Sequence, residues 1–439
     1  MPRSHRRLRR PLLVPTLFAL ALLSTELTAR EAWDGPAFSA GPAALMRAAS
    51  AVPGNQDEGV AILLLESAFQ YDDAGRETFT QRIVYRILST AAHESWSAVE
   101  ERWSPWHQTR PEIRARVLTP DGAEHTLDPA TITTIADGPA GRRAPDLFGD
   151  RRVLRAPLPA IRPGAVVEQE VTIRDKAPFF DRGVVRSQGL DNGVAVRHAR
   201  VVLEAPAGMP LRWVVRGLDG VRTVEAVSRG KRRVVFEARD LPAMPHSAYV
   251  AFSTGRSWAD VARRYSEIVD QAIHGSDLRS FLRSAGGPTA SQLDLMRLYL
   301  AWVSREIRYT GMELGEGRLV PRTPAETLRR KLGDCKDKAV LLTAMLRAAG
   351  IPAYVALLSA GEREPDVEDS LPGLGAFNHA IVVVPGNPAV WIDPTDPDSR
   401  AGELPAGDQG RLALIASPST VGLVRTPTAA GKAGTARTR

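Results

Sequence analysis

The single cysteine of the chain lies where a nucleophile could form. Cys335 follows Gly333 and Asp334, which suit a helix entry and an N-cap, and an apolar stretch at helical spacing continues to Gly350. The sequence therefore predicts a helix that begins at or just before the thiol. Unpaired N–H groups and the helix dipole at such an end favour the thiolate, which is the nucleophilic form of cysteine.

Two later segments could supply a general base and the carboxylate that orients it. Residues 377–384 and 390–395 are apolar and β-branched, and a Pro/Gly turn signal separates them. If the hairpin is centred near Gly386, His379 lies directly opposite Asp393 on the same face of the sheet. The carboxylate would then hold the imidazole tautomer and leave the second ring nitrogen for the thiol. A register slip of one residue would move Asp393 to the other face.

Each of these residues also has a structural interpretation. A lone cysteine is more often a small buried hydrophobe, and a lone histidine is more often a satisfied structural residue. The helix start before Cys335, together with the opposed pair of His379 and Asp393, favours the catalytic interpretation.

Motifs for other chemistries are missing from the sequence. The eight histidines include no pair at helical metal-ligand spacing, and there is no second cysteine, so we expect no metal site. The sequence also contains no Gly-x-Ser-x-Gly motif and no Gly-rich phosphate loop. We therefore expect no cofactor.

The residues around the candidate site resemble the transglutaminase-like superfamily, a papain-like group of Cys-His-Asp acyl-transfer enzymes. The signature has three parts, which are Gly-Asp-Cys335-Lys-Asp-Lys, Asn-His379 and Trp-Ile-Asp393-Pro-Thr. The resemblance implies that Cys335 is the nucleophile, His379 the general base and acid, and Asp393 the orienting carboxylate. It also implies a second oxyanion-hole donor upstream of the cysteine, for which Trp302 and Tyr309 are the candidates.

The rest of the chain predicts a second, strand-rich domain. Residues 57–253 contain short strands with Gly and Asp turns, which are typical of a β-sandwich. Within them, residues 158–168 resemble the domain of unknown function (DUF3857-type) that commonly precedes transglutaminase-like cores in bacterial envelope proteins. The expected fold is multidomain, with an N-terminal all-β sandwich-like domain followed by an α+β papain-like/transglutaminase-like domain. The predicted strands include 60–66, 78–88, 113–118, 166–174, 199–204 and 232–237.

Three helices are predicted outside the cysteine helix. A short one covers residues 43–51, and two amphipathic ones cover 258–269 and 293–308. The last of these is predicted to bury Leu295, Leu298, Trp302, Val303 and Ile307.

The first 30 residues have the form of a secretory signal peptide. Five arginines precede an apolar run over residues 12–23, and Ala29 ends a small-residue cleavage site. We expect an exported protein, periplasmic or secreted, with no integral membrane anchor after the signal is removed. The predicted divisions are a signal peptide (1–30), a lead segment (31–56), the β-sandwich-like domain (57–253), the transglutaminase-like domain (254–424) and a disordered tail (425–439).

The net charge of +7 is concentrated at the two ends of the chain. Residues 1–30 carry six Arg and one Glu, and residues 425–439 carry four basic residues and no acid, which leaves about −2 for the middle. Because a nucleic-acid binder keeps its basic patch in the folded domain, we expect no nucleic-acid partner. A single cysteine also excludes an intrachain disulfide.

The sequence favours an enzyme that acts on amide bonds of a protein or peptide substrate through a Cys335 thioester. Water or an amine would be the acyl acceptor, and the cell envelope is one source of such substrates. The alternative is a non-catalytic envelope scaffold, in which the β domain binds a partner and the papain-like domain only supports it. A thiol-redox role is disfavoured because no resolving cysteine is present.

Overall fold

The computed structural model contains a strand-rich N-terminal part, called here the β region, followed by a mixed helix and sheet C-terminal region. It describes residues 31–137, 147–244, 247–276, 278, 282, 291–313, 317 and 319–428. The predicted fold class is confirmed, whereas the predicted signal peptide lies outside the described residues. Within the described part of the chain, no helix has both the length and the apolar content that crossing a bilayer requires.

The β region begins with a short helix and continues as strands that include all the predicted ones. Pro42 is in the first turn of the helix, where its missing N–H costs no hydrogen bond. The elements are α1 (Pro42–Ala51), β1 (Val60–Tyr71), β2 (Glu77–Ile87), α2 (His93–Trp96), β3 (Ala98–Trp103), β4 (Glu112–Leu118), β5 (Glu124–Thr126), β6 (Thr133–Ala136), β7 (Leu147–Gly149), β8 (Arg152–Pro157), β9 (Val166–Arg174), β10 (Val185–Gly189), β11 (Val196–Pro206), β12 (Arg212–Arg216), β13 (Arg222–Ser228), β14 (Lys231–Leu241) and β15 (Tyr249–Ser253).

Apart from β7, which pairs in parallel with residues Gly311–Glu313 of the C-terminal region, these strands form one large sheet and two small ones. The large sheet has the order β13-β14-β11-β1-β2-β9-β4-β5, in which β1 and β11 are parallel and the other neighbours are antiparallel. The small sheets have the orders β10-β15-β12 and β3-β8-β6. Phe69 of β1 packs on Phe252 of β15 with ring centroids 4.9 Å apart, so the large sheet and one small sheet share a sandwich-like core.

A buried ion cluster ties the lead segment to the large sheet. Glu168 of β9 is 1% exposed and accepts hydrogen bonds from Arg82 Nη2 at 2.6 Å and from Arg116 Nη2 at 2.7 Å. The two arginines also donate to the backbone carbonyls of Trp33 and Ala40. The lead segment is thus fixed by hydrogen bonds as well as by apolar packing of its buried Trp33 on the sheet.

The C-terminal region packs a buried helix against an antiparallel sheet. Its elements are α3 (Trp258–Ile273), α4 (Gln292–Glu306), β16 (Arg308–Tyr309), β17 (Gly311–Glu313), α5 (Pro324–Arg330), β18 (Leu332–Gly333), α6 (Cys335–Ala348), β19 (Tyr354–Leu358), β20 (His379–Val384), β21 (Val390–Ile392), β22 (Leu412–Ile415) and β23 (Val424–Arg425). The sheet order is β21-β20-β19-β22-β23. Helix α6 contacts α3, α4, α5, β19 and β20, and its residues 336–346 are all buried, so it is the central element.

The helix predicted over 293–308 is α4, but its buried face differs from the prediction. Val303 and Ile307 are buried as expected, whereas Leu298 is 39% exposed. Both the predicted and the observed apolar sets recur at helical spacing, so periodicity alone could not choose between the two faces. The buried residues of α4 are Met296, Tyr299, Leu300 and Val303.

The β region holds the segment that leads into β20. The N–H of Val185 donates to the Leu374 carbonyl at 2.6 Å, and the N–H of Leu374 donates to the Gly183 carbonyl at 3.0 Å. Gly375 has φ +117°, and a Cβ at this position would lie 2.4 Å from the Val185 carbonyl oxygen. Only glycine allows the backbone to come this close to β10. Together with the two hydrogen bonds, this contact anchors the chain to β10 shortly before β20 begins.

Regular structure continues past the predicted start of the disordered tail. Arg425 belongs to β23, which pairs with β22, and the buried Thr426 donates a hydrogen bond to the Asp408 carbonyl at 2.5 Å. The predicted boundary at 425 is therefore too early, because the composition of this segment gave no sign that it adds an edge strand to the sheet. The remainder of the predicted tail, residues 429–439, lies outside the described residues.

Candidate active site

Cys335 is the first residue of α6 and is half-buried. Asp334 caps the helix, since its Oδ1 accepts from the N–H of Asp337 at 3.2 Å, and the Asp337 carboxylate accepts in return from the N–H of Asp334 at 3.5 Å. Arg322 holds the Asp337 carboxylate through a contact of 2.8 Å. The predicted helix start is confirmed, and the reciprocal cap fixes the backbone on both sides of the thiol.

His379 lies between the thiol and two carboxyl groups. It is the first residue of β20, and its Nε2 is 3.3 Å from Oδ2 of Asp393. Cys335 and the imidazole line one cavity, and the thiol is among the groups that raise the pKa of His379. Because Nε2 faces the carboxylate, Nδ1 is the ring nitrogen left for the thiol. The structure thus brings the three predicted site residues together.

The hairpin that carries His379 and Asp393 differs in register from the prediction. Val382 pairs with Ile392, which centres the hairpin one residue later than predicted and offsets His379 from Asp393 by two residues. The prediction of a directly opposed pair is therefore wrong. Both registers place the same apolar side chains on the same faces, so the pattern could not distinguish them. An offset of two residues preserves the face, and the imidazole still reaches the carboxylate.

Hydrogen bonds oppose the effect of burial on the charges of His379 and Asp393. Burial alone would lower the pKa of His379, but interactions with Asp393 and Cys335 raise this pKa well above its usual value. Burial would raise the pKa of Asp393, but hydrogen bonds from His379 and Thr395 lower it. The arrangement favours an imidazolium that faces an ionised carboxylate on one side and the sulfur on the other.

Asp408 is a further carboxyl group at the site, and the sequence did not predict it. It ends a single 3-10 turn, is 3% exposed, and its Oδ2 lies 4.0 Å from Nε2 of His379. Burial raises the pKa of Asp408 to about 6, with a further increase from Asp393 and an opposing effect of His379. Among the described residues, its Oδ2 has no hydrogen-bond partner. No sequence motif indicates Asp408. It lies in a Gly-containing stretch, and only the tertiary fold brings this stretch close to His379.

His379, Asp393 and Asp408 also form a group that could hold a metal ion. Their candidate ligand atoms lie within 4.8 Å of one another. One imidazole nitrogen and two carboxylate oxygens would suit zinc or a similar divalent ion. A metal on Nε2 would replace the ion pair between His379 and Asp393, so the two uses of these atoms compete. That the protein uses no metal stays a prediction.

A cavity of about 330 Å³ opens over the thiol. Its walls include Cys335, His379 and Tyr309, together with Phe179 from the β region. Of the two oxyanion-hole candidates, Tyr309 thus lies at the site, whereas Trp302 is not among the described residues that line it. The volume is at the low end for ligand sites, and the contribution of Phe179 makes the cavity a joint product of both regions.

A solved structure that shares the fold of this chain carries a protease name. The crystal structure of a "putative protease" from Parabacteroides distasonis is similar to this chain with a TM-score of 0.66 and 17% identity, covering 84% of this chain and 73% of that one. At this identity, the similarity shows a shared fold. A "putative cysteine protease" from Cytophaga hutchinsonii matches at 10% identity over 75% of this chain and 89% of its own, but its TM-score of 0.25 is too low to support a conclusion.

No curated protein shows a significant similarity to the chain. Two family models match it, and they do so in the order that the sequence predicts. The resemblance is therefore confirmed: residues 73–245 match the domain of unknown function DUF3857, and residues 280–394, which contain the cysteine, the histidine and Asp393, match the transglutaminase-like superfamily.

Proposed function

We propose that the protein is an exported transglutaminase-like cysteine enzyme that acts on amide bonds of a peptide or of a glutamine side chain through a thioester. One observation carries the proposal: Cys335 and His379 line the same cavity, and Nε2 of His379 lies 3.3 Å from Oδ2 of Asp393. This is the arrangement of a thiol nucleophile, a base and an orienting acid. The family match over residues 280–394 supports the same chemistry.

Acylation would use the thiolate and the imidazolium as a pair. Sγ of Cys335 attacks the carbonyl carbon, a C–S bond forms, and the carbonyl electron pair moves onto oxygen. The N–H groups at the start of α6, with Tyr309 in the cavity wall, are the candidates to stabilise this oxyanion. His379 then donates its proton to the leaving nitrogen, the C–N bond breaks, and an amine departs from the thioester.

Deacylation would use the same imidazole in its neutral form. His379 takes a proton from water or from an amine, the resulting nucleophile attacks the thioester carbon, and the C–S bond breaks to restore the thiolate. Water gives a carboxylic acid, and an amine gives a new amide. Asp393 keeps the imidazole oriented and stabilises its charged form in both steps. We favour hydrolysis, because water is the abundant acceptor outside the cytoplasm.

The proposed substrate is a protein or peptide, and the cell envelope is its candidate source. The signal-like residues 1–30 support export to the periplasm or beyond, and the near-neutral middle of the chain gives no support for a nucleic-acid partner. The proposed steps require no cofactor, since the thiol and the imidazole supply both the nucleophile and the proton.

Alkylation of Cys335 by iodoacetamide, measured against pH in the full chain, tests the proposal without a known substrate. An ordinary thiol titrates near about pH 8.5. We expect fast alkylation to continue well below that pH and to be lost in His379→Ala. The matched control is His274→Ala, which changes an exposed histidine at the end of α3 and should keep the fast reaction.

Cys335→Ala provides the blank for this experiment, and thermal melting verifies that each variant is folded. Slow alkylation with the pH dependence of an ordinary thiol, or none until the protein is denatured, would contradict the proposal. Either result would favour the non-catalytic scaffold, in which the papain-like fold only supports the β region.

A further inference from the structure

A second cavity, on the β region, adjoins the cavity over Cys335. It also has a volume of about 330 Å³, and its walls come mainly from β1, β2, β3, β9 and β10. Phe179 and Gly375 line both cavities. The two cavities therefore share a wall.

The shared wall is fixed relative to the imidazole. The Phe179 ring lies 5.7 Å from the Arg186 guanidinium and 5.7 Å from the ring of His107, so its side chain is held within the β region. Gly375 is held against β10 by its close approach to the Val185 carbonyl. The same short segment then leads to His379, so the second cavity has a defined position with respect to the catalytic groups.

Positive side chains exceed negative ones in the lining of the second cavity. Arg102, Arg151 and Arg186 line it, against the single carboxylate of Glu77. Arg186 contacts Glu77 at 3.2 Å, which balances this pair. Arg102 and Arg151 both contact the carboxylate of Asp137, at 3.4 and 3.6 Å, and both also interact with the charge of Glu101. Their side chains are 52% and 38% exposed, and two guanidinium groups with ten N–H donors between them have donors for a further anion beside these carboxylates.

We propose that this cavity is a substrate subsite that binds the acidic side chain of a peptide whose amide bond lies over Cys335. The inference rests on the proposed function and adds a substrate class, namely peptides with Asp or Glu near the bond that is attacked. Arg102 and Arg151 are the specificity-determining residues, because a guanidinium matches a carboxylate through two parallel N–H···O bonds. The β region would then select the substrate on which the C-terminal region acts.

Electrophilic peptides that alkylate Cys335 test the subsite separately from turnover. One series carries an iodoacetyl group at the peptide N-terminus and the other a chloromethyl ketone at the C-terminus, so that the two extend to opposite sides of the thiol. Each series places Glu, or the neutral isostere Gln, at each of the first three positions. We expect the Glu probe to react about tenfold faster than its Gln partner at one position, as a charged hydrogen-bond pair would give.

The double variant Arg102→Gln/Arg151→Gln should bring this ratio of Glu to Gln rates close to one. The ratio cancels any change in the reactivity of the thiol itself, and both side chains are exposed enough for the fold to survive their exchange. The matched control is Arg155→Gln on β8, a 53% exposed arginine that pairs with Glu100 and does not line the second cavity. This control should retain the preference for Glu.

Three results would overturn the subsite. Equal rates for Glu and Gln probes, with iodoacetamide still fast, would remove it and leave the proposed function intact. A Glu preference that persists in the double variant would place the acidic side chain elsewhere. Failure of every reagent, including iodoacetamide, to alkylate the folded chain would remove the subsite together with the proposed function.

Discussion

The β region and the C-terminal region each bury a cluster of charged groups, and the two clusters are built in opposite ways. In the β region, the one carboxylate of Glu168 lies between the guanidinium groups of Arg82 and Arg116, and each of its oxygens accepts a hydrogen bond. In the C-terminal region, the carboxyl groups of Asp393 and Asp408 face the one imidazole of His379. The first cluster has an excess of donors, and the second has an excess of acid.

The difference separates a cluster that fixes structure from one that can move a proton. The donors around Glu168 give each oxygen of its carboxylate a hydrogen bond, so this cluster is satisfied as it stands. Asp408, with its pKa raised to about 6 by burial, can change its charge near neutral pH. Reactive sites need such groups, and structural clusters do not. We therefore expect changes in the first cluster to alter stability and changes in the second to alter rate or pH dependence.

Asp393→Asn should give the largest effect and would break the comparison most directly. The variant keeps the shape of the side chain but removes the charge that orients the imidazole and stabilises its protonated form. By analogy with other nucleophile–His–Asp triads, we expect kcat to fall about ten-thousand-fold with little change in melting temperature. The kcat is measured on a peptide substrate derived from the probe that alkylates Cys335 fastest, with an amide bond in place of the reactive group.

Asp398→Asn is the control for this experiment, because it changes an exposed carboxylate five residues further along the same segment. It should leave both kcat and the melting temperature close to those of the wild type. If Asp393→Asn lowers the melting temperature strongly and kcat only slightly, Asp393 is a structural residue of the hairpin, and the two clusters do not differ in kind.

Glu168→Ala tests the other side of the comparison. It leaves two buried guanidinium groups without their carboxylate, so we expect the free energy of unfolding to fall by about 3–5 kcal/mol. Urea unfolding followed by tryptophan fluorescence measures this loss. The control is Glu170→Ala, two residues along β9, whose partner Arg114 is 63% exposed and which should cost about 1 kcal/mol or less. Equal losses of unfolding free energy in the two variants would show that the buried cluster contributes no more to stability than an exposed ion pair.

Local signals in the sequence predicted the parts of the site that are close together in the chain. The start of α6 at Cys335 followed from Gly333 and Asp334, and the shared face of His379 and Asp393 followed from the alternation of strand residues. The predicted pairing of the two strands was two residues in error. A shift by an even number of residues keeps the same apolar side chains on the same face, so only the geometry of the turn determines which register forms.

The parts that escaped prediction depend on contacts between distant segments. Asp408 lies in a stretch with no periodicity. Only the tertiary fold places its carboxyl group beside His379, so nothing in the local sequence indicates a role at the site. Phe179 reaches the cavity over Cys335 because β10 pairs with the segment before β20, and nothing in its neighbouring residues indicates this. Leu298 repeats at the same spacing as the buried residues of α4, so only the packing partner decides which face is covered.

Asp408→Asn should give the smallest effect and would sharpen the comparison by its pH dependence. In the wild type, the pKa of Asp408 in the folded state is about 6, above its ordinary value of 3.8. Its contribution to stability is therefore complete below the ordinary value and is lost as the pH rises through the folded value. Asparagine is neutral throughout, so the unfolding free energy of the variant, relative to the wild type, should rise by roughly 2 kcal/mol between about pH 4.5 and about pH 7.5. A difference that stays constant over this range would mean that Asp408 does not titrate there, and the second cluster would then not contain the proton-accepting group that separates it from the first.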